Sequence, residues 1–217
     1  MRFLITAGPT REPIDPVRYL SNRSSGKMGY AIAEAAVEAG HEVILISGPV
    51  DVDRPRGVAV ISVSTSDQMF AAVGQHTSRC DILVMCAAVA DYKPATVSKN
   101  KIKKRGENIS LELIPTRDIL ASLPKDRQYA VVGFAAETEN VEANARKKLQ
   151  EKNCDVVVAN DVSRTDSGME SDDNEVEIFF RDGEMKTISR ASKKIVAREL
   201  IKIFENVCEK RLTKKIA

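Results

Sequence analysis

Short apolar runs alternate with helix-forming stretches along most of the chain, and this alternation predicts an α/β fold. The predicted strands lie at residues 2–6, 42–46, 58–63, 81–86, 129–134 and 155–159. The predicted helices lie at 26–39, from Ser66 onward and at 140–152. Continuously apolar strands are typical of a parallel sheet covered on both faces. We therefore expect a Rossmann-like, mostly parallel sheet with helices on both faces, in one domain spanning residues 1–217.

The C-terminal part departs from this alternation. Two strand-like runs, 175–180 and 184–188, flank Asp182-Gly183, which predicts a β-hairpin. A doubly wound core offers this hairpin no obvious place, and a two-stranded hairpin is marginal alone. We therefore expect residues 175–190 to form a contact in a homodimer. A last helix is predicted at about 191–207, followed by fraying of residues 209–217.

Two polar stretches are longer than ordinary connections. Residues 91–107 are rich in lysine and poor in large apolar side chains, and residues 161–174 are acidic and rich in Ser. Loops of this length are usually functional or disordered. We expect residues 91–107 to be a mobile flap that becomes ordered over a bound ligand.

Composition and charge exclude several classes of protein. Lys and Arg number 33 and Asp and Glu 31, a net charge of +2 at pH 7, which argues against a strongly basic nucleic-acid binder. The longest uncharged apolar run, residues 82–90, is far shorter than the roughly 20 residues of a membrane span. The N-terminus lacks the layout of a signal peptide. We expect a cytoplasmic protein that binds neither membrane nor nucleic acid.

The spacing of cysteine and histidine argues against zinc and hydrolase sites. The four cysteines form no C-x-x-C pair, and His41 and His76 lie far apart. A zinc site is therefore not expected, and Cys86 and Cys154 are interpreted as core thiols. The chain also lacks the G-x-S-x-G motif of a Ser-His-Asp hydrolase.

The loop after the first strand is the first candidate for chemistry. Its small residues would let a phosphate approach the start of a helix, where free N–H groups favour an anion; they are Gly8, Ser24, Gly26 and Gly29. The string is not a P-loop, because Met28 replaces the required Ser or Thr. A helix cap with tight packing would explain these glycines about as well as phosphate binding does. Asn22 is more specific, since an amide that donates and accepts suits a carboxylate or acyl phosphate.

Two further candidates follow the strand at 81–86. Ala87, Ala88 and Asp91 come at the sheet edge where α/β proteins bind ligands. The Asp91 carboxylate either accepts a hydrogen bond from a ligand hydroxyl, helps to hold a metal, or only begins a loop. Lys101 and Lys104, in the string K-I-K-K, either neutralise a triphosphate or belong to a solvated charged face.

A fourth candidate follows the strand at 129–134. Phe134 either stacks on a nucleotide base or packs in the core. Lys148 and Lys152 share one face of the next helix at i, i+4 spacing. They either bind a ligand or only promote solubility.

Six strings now stand in one order along residues 5–178. They are G-P-T-R-E-P-I-D-P-V-R-Y, S-N-R-S-S-G-K-M-G, C-A-A-V-A-D-Y, K-I-K-K, V-V-G-F-A-A-E-T and A-N-D-V-S. Together they resemble the phosphopantothenate–cysteine ligase family. One departure is that this chain has Thr116-Arg117-Asp118-Ile119 where the bacterial pattern commonly has N-P-D-I.

The resemblance also bears on the extent of the protein. In many bacteria the ligase is the C-terminal half of a fused protein whose other half is a flavin-dependent decarboxylase. Because Met1 directly precedes the first strand, we expect a free-standing ligase or that half alone, without flavin. A separate decarboxylase is then a candidate partner in trans.

The resemblance implies a ligation in two steps. The carboxylate of 4′-phosphopantothenate attacks the α-phosphate of CTP to give pyrophosphate and an acyl-cytidylate, and the amine of L-cysteine then displaces CMP. Mg²⁺ is expected with CTP, and a homodimer is implied. Asn22 would contact the acyl group, and Lys101 would lie on a flap that closes over the intermediate. The expected nucleotide-binding residues are Gly8, Ser24, Gly26, Gly29, Ala87, Ala88, Asp91, Lys104, Asp118, Ile119, Phe134, Lys148 and Lys152.

Two other functions stay open at this point. A nicotinamide-dependent reductase would use a similar sheet, but the second strand ends in Ile46-Ser47-Gly48-Pro49, without the acidic residue that binds the ribose. A non-catalytic nucleotide-binding module would bind CTP and release no pyrophosphate.

Overall fold

The structure, a computed structural model, describes residues 1–104, 106, 108–163 and 171–216, with side chains described as far as Arg211. In chain order the elements are β1 (Arg2–Ala7), β2 (Glu12–Pro13), β3 (Tyr19–Leu20), α1 (Lys27–Glu38), β4 (Glu42–Ser47), β5 (Ala59–Ser62), α2 (Ser66–His76), β6 (Ile82–Met85), β7 (Tyr92–Pro94), β8 (Leu113–Pro115), β9 (Ala130–Glu137), α3 (Val141–Glu151), β10 (Val156–Asp161), β11 (Asp173–Phe180), β12 (Met185–Ser192) and α4 (Lys193–Ile216).

The central sheet has eight strands in the order β12-β11-β10-β9-β6-β1-β4-β5. The strands from β10 to β5 are parallel to one another, whereas β11 and β12 are added antiparallel. Numbered along the chain, the parallel strands follow the doubly wound order 3-2-1-4-5-6, so the predicted fold class is confirmed. The order reverses between β1 and β6. Open α/β sheets bind ligands beyond the carboxyl ends of the strands at such a point.

Both faces of the sheet are covered, which explains the continuously apolar strands. Phe3 and Ile5 of β1 are buried together with residues of α1 and α4, and Leu4 is buried with residues of α2 and α3. Because successive side chains of a strand point to opposite faces, each position needs an apolar residue. None of the helices in the described part of the chain is long and apolar enough to cross a membrane.

The hairpin formed by β11 and β12 lies within the central sheet. β11 pairs with β10, placing Phe180 opposite Val156, and Val176, Ile178 and Phe179 are buried. The premise that a doubly wound core has no place for this hairpin is therefore wrong, because antiparallel strands extend the sheet beyond β10. Its use as a dimer contact stays a prediction.

Two helix boundaries differ from expectation. Helix α2 is capped by Thr65 rather than by Ser66, because the Thr65 hydroxyl accepts a hydrogen bond from the Gln68 N–H while the Gln68 side chain accepts one from the Thr65 N–H. Helix α4 continues to Ile216, so its predicted end near residue 207 is wrong.

The lysine-rich stretch at 91–107 is attached to the rest of the protein at two points. Its first residues form β7, which pairs with β8. Further along, the Ile102 N–H donates to the Asp15 carboxylate at 3.1 Å, next to the small hairpin of β2 and β3. Mobility of this flap stays a prediction. Parts of both long predicted loops lie outside the described residues, namely 105, 107 and 164–170.

Two glycines provide a matched test of packing at the sheet edge. A Cβ on Gly48, just after β4, would lie 1.8 Å from the Pro9 carbonyl oxygen, whereas a Cβ on Gly74, in the exposed face of α2, would meet no atom within 4 Å. We expect Gly48→Ala to lower the free energy of unfolding by about 1–3 kcal/mol through overpacking. Gly74→Ala should raise it by about 0.5–1 kcal/mol, because alanine favours the helix. Urea denaturation measures both, and an unchanged midpoint for Gly48→Ala would contradict the close approach.

Candidate active site

A cavity of about 840 Å³ lies at the carboxyl edge of the sheet, where the strand order reverses. Its walls are the loop at 20–29, the segment at 85–92 after β6, the segment at 116–120 and the end of β9. The volume suits a nucleotide-sized ligand. It brings together most of the predicted site residues: Asn22, Ser24, Gly26, Gly29, Ala87, Ala88, Asp91, Asp118, Ile119, Phe134, Lys148 and Lys152.

The start of α1 forms one wall and depends on glycine. Gly26 has φ of 77°, and a Cβ there would lie 2.5 Å from Val50 Cγ1 and 3.3 Å from Gly8 Cα. A Cβ on Gly29 would lie 2.6 Å from the Cβ of Ala7, so the helix packs directly on β1. The residues of the first turn line the cavity, and the helix start has no side-chain cap, so its free N–H groups are available to an anion such as phosphate. Gly8 lies beneath Gly26 rather than in the cavity wall, so its binding role stays a prediction.

Asn22 connects the two loops that meet above the sheet. Its amide Nδ2 donates to the Ala88 carbonyl oxygen at 2.5 Å, and its Oδ1 accepts from the Ser24 N–H at 3.1 Å. These bonds fix the orientation of the amide at the junction. Among the described residues the amide makes no other hydrogen bond, so one N–H of Nδ2 and a lone pair of Oδ1 can bind a ligand in the cavity.

Two buried threonines, which the sequence analysis missed, hold the segment after β6. The Thr6 hydroxyl accepts from the Ala87 N–H at 3.1 Å, and the Thr10 hydroxyl accepts from the Ala90 N–H at 3.0 Å. Both threonines are fully buried. For Thr6, its position inside an apolar strand was the available signal, because a buried hydroxyl needs a partner.

A second wall carries the two lysines of α3. Lys148 Nζ donates to the Phe134 carbonyl oxygen at 2.5 Å, and burial lowers the pKa of this ammonium group. Lys152 Nζ lies 2.6 Å from a carboxylate oxygen of Asp118. Burial raises the pKa of Asp118, but Lys152 and the Ala121 N–H outweigh it, so the pKa is lowered overall. Both lysines thus line the cavity, and their role in binding a ligand stays a prediction.

Lys101 and Lys104 are exposed and do not line the cavity. Between them Ile102 is held at both main-chain groups, because its N–H donates to Asp15 and its carbonyl oxygen accepts from Arg18. The Asp15 side chain is fully buried and accepts further bonds from Arg18. Burial raises the pKa of Asp15, but the N–H groups it accepts from and the Arg18 guanidinium hold it far below its usual range. The roles of the two lysines stay predictions.

Sequence reasoning missed several polar residues at the far side of the cavity. Lys193, at the start of α4, and Asn174, in β11, are both almost fully buried and line the wall, together with Asn160. Cys86 also lines it, and burial raises the pKa of its thiol to about 12. Asn174 and Lys193 reach the cavity because β11 and β12 join the sheet ahead of α4, and no local pattern revealed that.

Comparison with known proteins gives a consistent result over nearly the whole chain. Residues 1–207 match the model of the DNA/pantothenate metabolism flavoprotein C-terminal domain, DFP. The coenzyme A biosynthesis bifunctional protein CoaBC of Bacillus subtilis (strain 168) is 50% identical over 200 residues, covering 91% of this chain and 49% of that protein. CoaBC of Escherichia coli (strain K12) is 46% identical over 206 residues, covering 93% and 50%. The chain thus spans about half the length of the curated relatives it matches.

Solved structures agree with this assignment. The C-terminal domain of CoaBC superposes with a TM-score of 0.82 at 45% identity, covering 96% of each chain. A mutant of Cab2 in complex with phosphopantothenate-cysteine has a TM-score of 0.81 at 16% identity, covering 100% of this chain and 89% of the other, which shows a shared fold. From the family match and the identity to CoaBC, the chain belongs to the DNA/pantothenate metabolism flavoprotein C-terminal domain family.

Proposed function

We propose that this chain is a phosphopantothenate–cysteine ligase of coenzyme A biosynthesis, which joins 4′-phosphopantothenate to L-cysteine and converts CTP to CMP and pyrophosphate. The observation that carries the proposal is the single cavity that combines an uncapped helix start, the Asn22 amide and the lysines of α3. The names of the CoaBC relatives, and the phosphopantothenate-cysteine bound to Cab2, support the choice of substrates.

The first step needs positioning and positive charge rather than a protein nucleophile. The substrate carboxylate attacks the α-phosphorus of CTP, and the bond from that phosphorus to the β-phosphate oxygen breaks. The N–H groups at the start of α1 and the ammonium groups of Lys148 and Lys152 suit the negative charge of the phosphates. No serine, cysteine or histidine nucleophile is required.

The second step is attack of the cysteine amine on the acyl carbon. The carbonyl oxygen gains negative charge as CMP leaves, and a fixed amide donor stabilises such charge. Asn22 suits this task, because its bonds to Ala88 and Ser24 hold the amide in place and leave one N–H available. Lys101 would come close to the phosphate only when the flap moves over the cavity, which keeps water from the anhydride.

Magnesium fits the site as a companion of the nucleotide. In the described part of the chain, no three His, Cys, Asp or Glu side chains are grouped to hold a metal ion. Mg²⁺ is commonly held by one or two carboxylates together with substrate phosphates. Asp91 is a cavity carboxylate that suits this arrangement. The ion would neutralise charge on the triphosphate.

Release of pyrophosphate tests the function directly. The purified protein is given CTP, Mg²⁺, 4′-phosphopantothenate and L-cysteine, with each component omitted in turn and with ATP replacing CTP. The proposal requires release that depends on CTP and 4′-phosphopantothenate, with CTP preferred. Binding of CTP without release would instead support a nucleotide-binding module, and protection from thermal unfolding by NADPH would favour a reductase.

We also propose a homodimer formed through the hairpin surface, the face made by the β2–β3 and β7–β8 hairpins. Several large apolar side chains of these two hairpins are exposed: Val17, Tyr19, Tyr92, Leu113 and Ile114. An apolar patch of this kind marks an interaction site. Because Tyr92 also lines the cavity, the partner copy would lie next to the active site.

Val17→Glu tests this surface, since Val17 is 59% exposed in the turn between β2 and β3. A buried carboxylate at the interface should convert the dimer to a monomer, as measured by light scattering at micromolar concentration. Ile195→Glu, at a 51% exposed position of α4, is the matched control and should stay dimeric. If the wild-type protein is a monomer, the proposed dimer is wrong. If Val17→Glu is still a dimer, the hairpin surface is not the contact, and another surface such as β11–β12 forms it.

Asn22→Asp should preserve the fold and lower turnover by at least about 100-fold, as loss of a fixed amide donor does in other acyl-transfer sites. The new carboxylate oxygen would also face the Ala88 oxygen and repel the substrate carboxylate. Asn206→Asp makes the same change on α4, where Asn206 Nδ2 donates to the Lys202 carbonyl oxygen, and should leave turnover unchanged. If Asn22→Asp keeps turnover within a few-fold, Asn22 is not at the reacting centre.

Lys101→Gln should lower turnover by about tenfold or more, because it removes a charge expected near the phosphate in the closed state. The thermal midpoint should not change, since Lys101 is exposed. Lys125→Gln, in an exposed position near the opposite edge of the sheet, is the control. Steady-state turnover and thermal unfolding are measured on the same preparations. Unchanged turnover for Lys101→Gln would leave the lysine in a solvated charged face.

A further inference from the structure

The cavity has a second cationic end, on the side of the sheet covered by α1 and α4. Lys193, the first residue of α4, lines this end although only 5% of the residue is exposed. Its Nζ donates to the Ser171 carbonyl oxygen at 2.6 Å. Burying an ammonium group is costly, and the reaction steps derived above give this lysine no role.

Positive charge is concentrated here by two helix starts. Helices α1 and α4 both begin with a lysine, Lys27 and Lys193, and both lysines line the cavity. A cation at a helix N-terminus is unfavourable, and neither first turn contains an acidic residue. Burial, and then the charge of Lys27, lower the pKa of Lys193. Asp172 is an acidic neighbour among the described residues; it pairs with Lys27 at 2.6 Å and is largely exposed. A bound anion would relieve this repulsion.

A buried amide supplies an independent sign of a ligand. Asn174 is 4% exposed and lines the same end of the cavity, and its Oδ1 has no hydrogen-bond partner among the described residues. Within the described part of the chain, its Nδ2 makes only a 3.8 Å contact with Met28 Sδ. An unpartnered buried amide oxygen is costly, so a ligand or its bound water should complete this group. Rotation of the amide would present the NH₂ group to a phosphoryl oxygen at little cost, because the contact with sulfur is weak.

We propose that Lys193, Asn174 and Lys27 form a subsite for the diphosphate part of the nucleotide, meaning the β- and γ-phosphates of the triphosphate and the pyrophosphate that leaves. The identity of the triphosphate rests on the proposed function. The opposite end, with the lysines of α3, then takes the nucleoside and the α-phosphate. The reacting carboxylate lies between them, next to Asn22.

The subsite acts when the leaving group departs. As the carboxylate oxygen bonds to the α-phosphorus, the bond from that phosphorus to the bridging oxygen breaks, and its electron pair stays on that oxygen, which becomes terminal on pyrophosphate. The Lys193 ammonium stabilises this new charge by hydrogen bonding and needs to transfer no proton. Charge-assisted hydrogen bonds of this kind are the strong ones.

Calorimetric titration with inorganic pyrophosphate, CTP and CMP at fixed Mg²⁺ tests the subsite on the unliganded protein. Lys193→Gln should weaken binding of pyrophosphate and CTP by about tenfold or more, and that of CMP by less than about twofold, since CMP lacks the diphosphate. Lys194→Gln is the matched control, because the neighbouring Lys194 is exposed and pairs with Glu34 at 3.3 Å on the outer side of the helices. It should bind all three ligands like wild type.

Unchanged pyrophosphate affinity in Lys193→Gln, or an equal loss for CMP, would overturn the subsite. If Lys193→Gln fails to fold, Asn174→Ser replaces it, and wild-type pyrophosphate affinity in that variant would overturn the subsite as well. The two proposals fail separately. If the wild-type protein ligates its substrates but Lys193→Gln binds pyrophosphate as tightly as wild type, the proposed function stands and the subsite is wrong. If the wild-type protein has no ligase activity but its binding of pyrophosphate is weakened by Lys193→Gln, the subsite stands and the proposed function is wrong.

Discussion

The cavity depends on hydrogen bonds that join the loop after β1 to the segment after β6, across the reversal of strand order. The Ala88 N–H donates to the Gly8 carbonyl oxygen at 2.9 Å, and the Ala88 carbonyl oxygen accepts from the Thr10 N–H at 3.2 Å and from Asn22. Pro9 and Ala88 form a bridge of parallel type beyond the named strands. This junction holds the Asn22 amide and the start of α1 in one place, so main-chain geometry fixes this wall of the cavity.

Positive charge on both sides of that junction explains how the site could work without a nucleophile. Lys148 and Lys152 lie on one side and Lys27 and Lys193 on the other, and each pair is placed by the start or face of a helix that covers the sheet. A nucleoside triphosphate is long and highly charged, so a cavity with two cationic ends and an amide between them can orient its α-phosphate. Orientation of this kind is the main contribution that a protein makes to phosphoryl transfer.

The sequence was sufficient to predict the parallel strands, because strands covered on both faces are apolar at every position. It also identified Asn22, Gly26 and the α3 lysines, since these follow strand ends or occupy a helix start that α/β proteins use for ligands. It could not place β11, because the antiparallel extension of a parallel sheet depends on tertiary pairing. Lys193 and Asn174 were missed for the same reason. For Lys101 and Lys104 the sequence had a different limit. Their composition suggested a role near phosphate, but it could not predict where the segment that carries them lies relative to the cavity.

Isotope transfer tests most directly the claim that this cavity activates the carboxylate at the α-phosphate. 4′-Phosphopantothenate carrying oxygen-18 in its carboxylate is incubated with CTP, Mg²⁺ and L-cysteine, and the products are analysed by mass spectrometry. The account predicts one labelled oxygen in the phosphate of CMP and none in pyrophosphate, because the carboxylate oxygen stays on the α-phosphorus when the amine displaces CMP. Unlabelled CDP together with labelled inorganic phosphate would contradict it, since the carboxylate would then have been activated by the γ-phosphate.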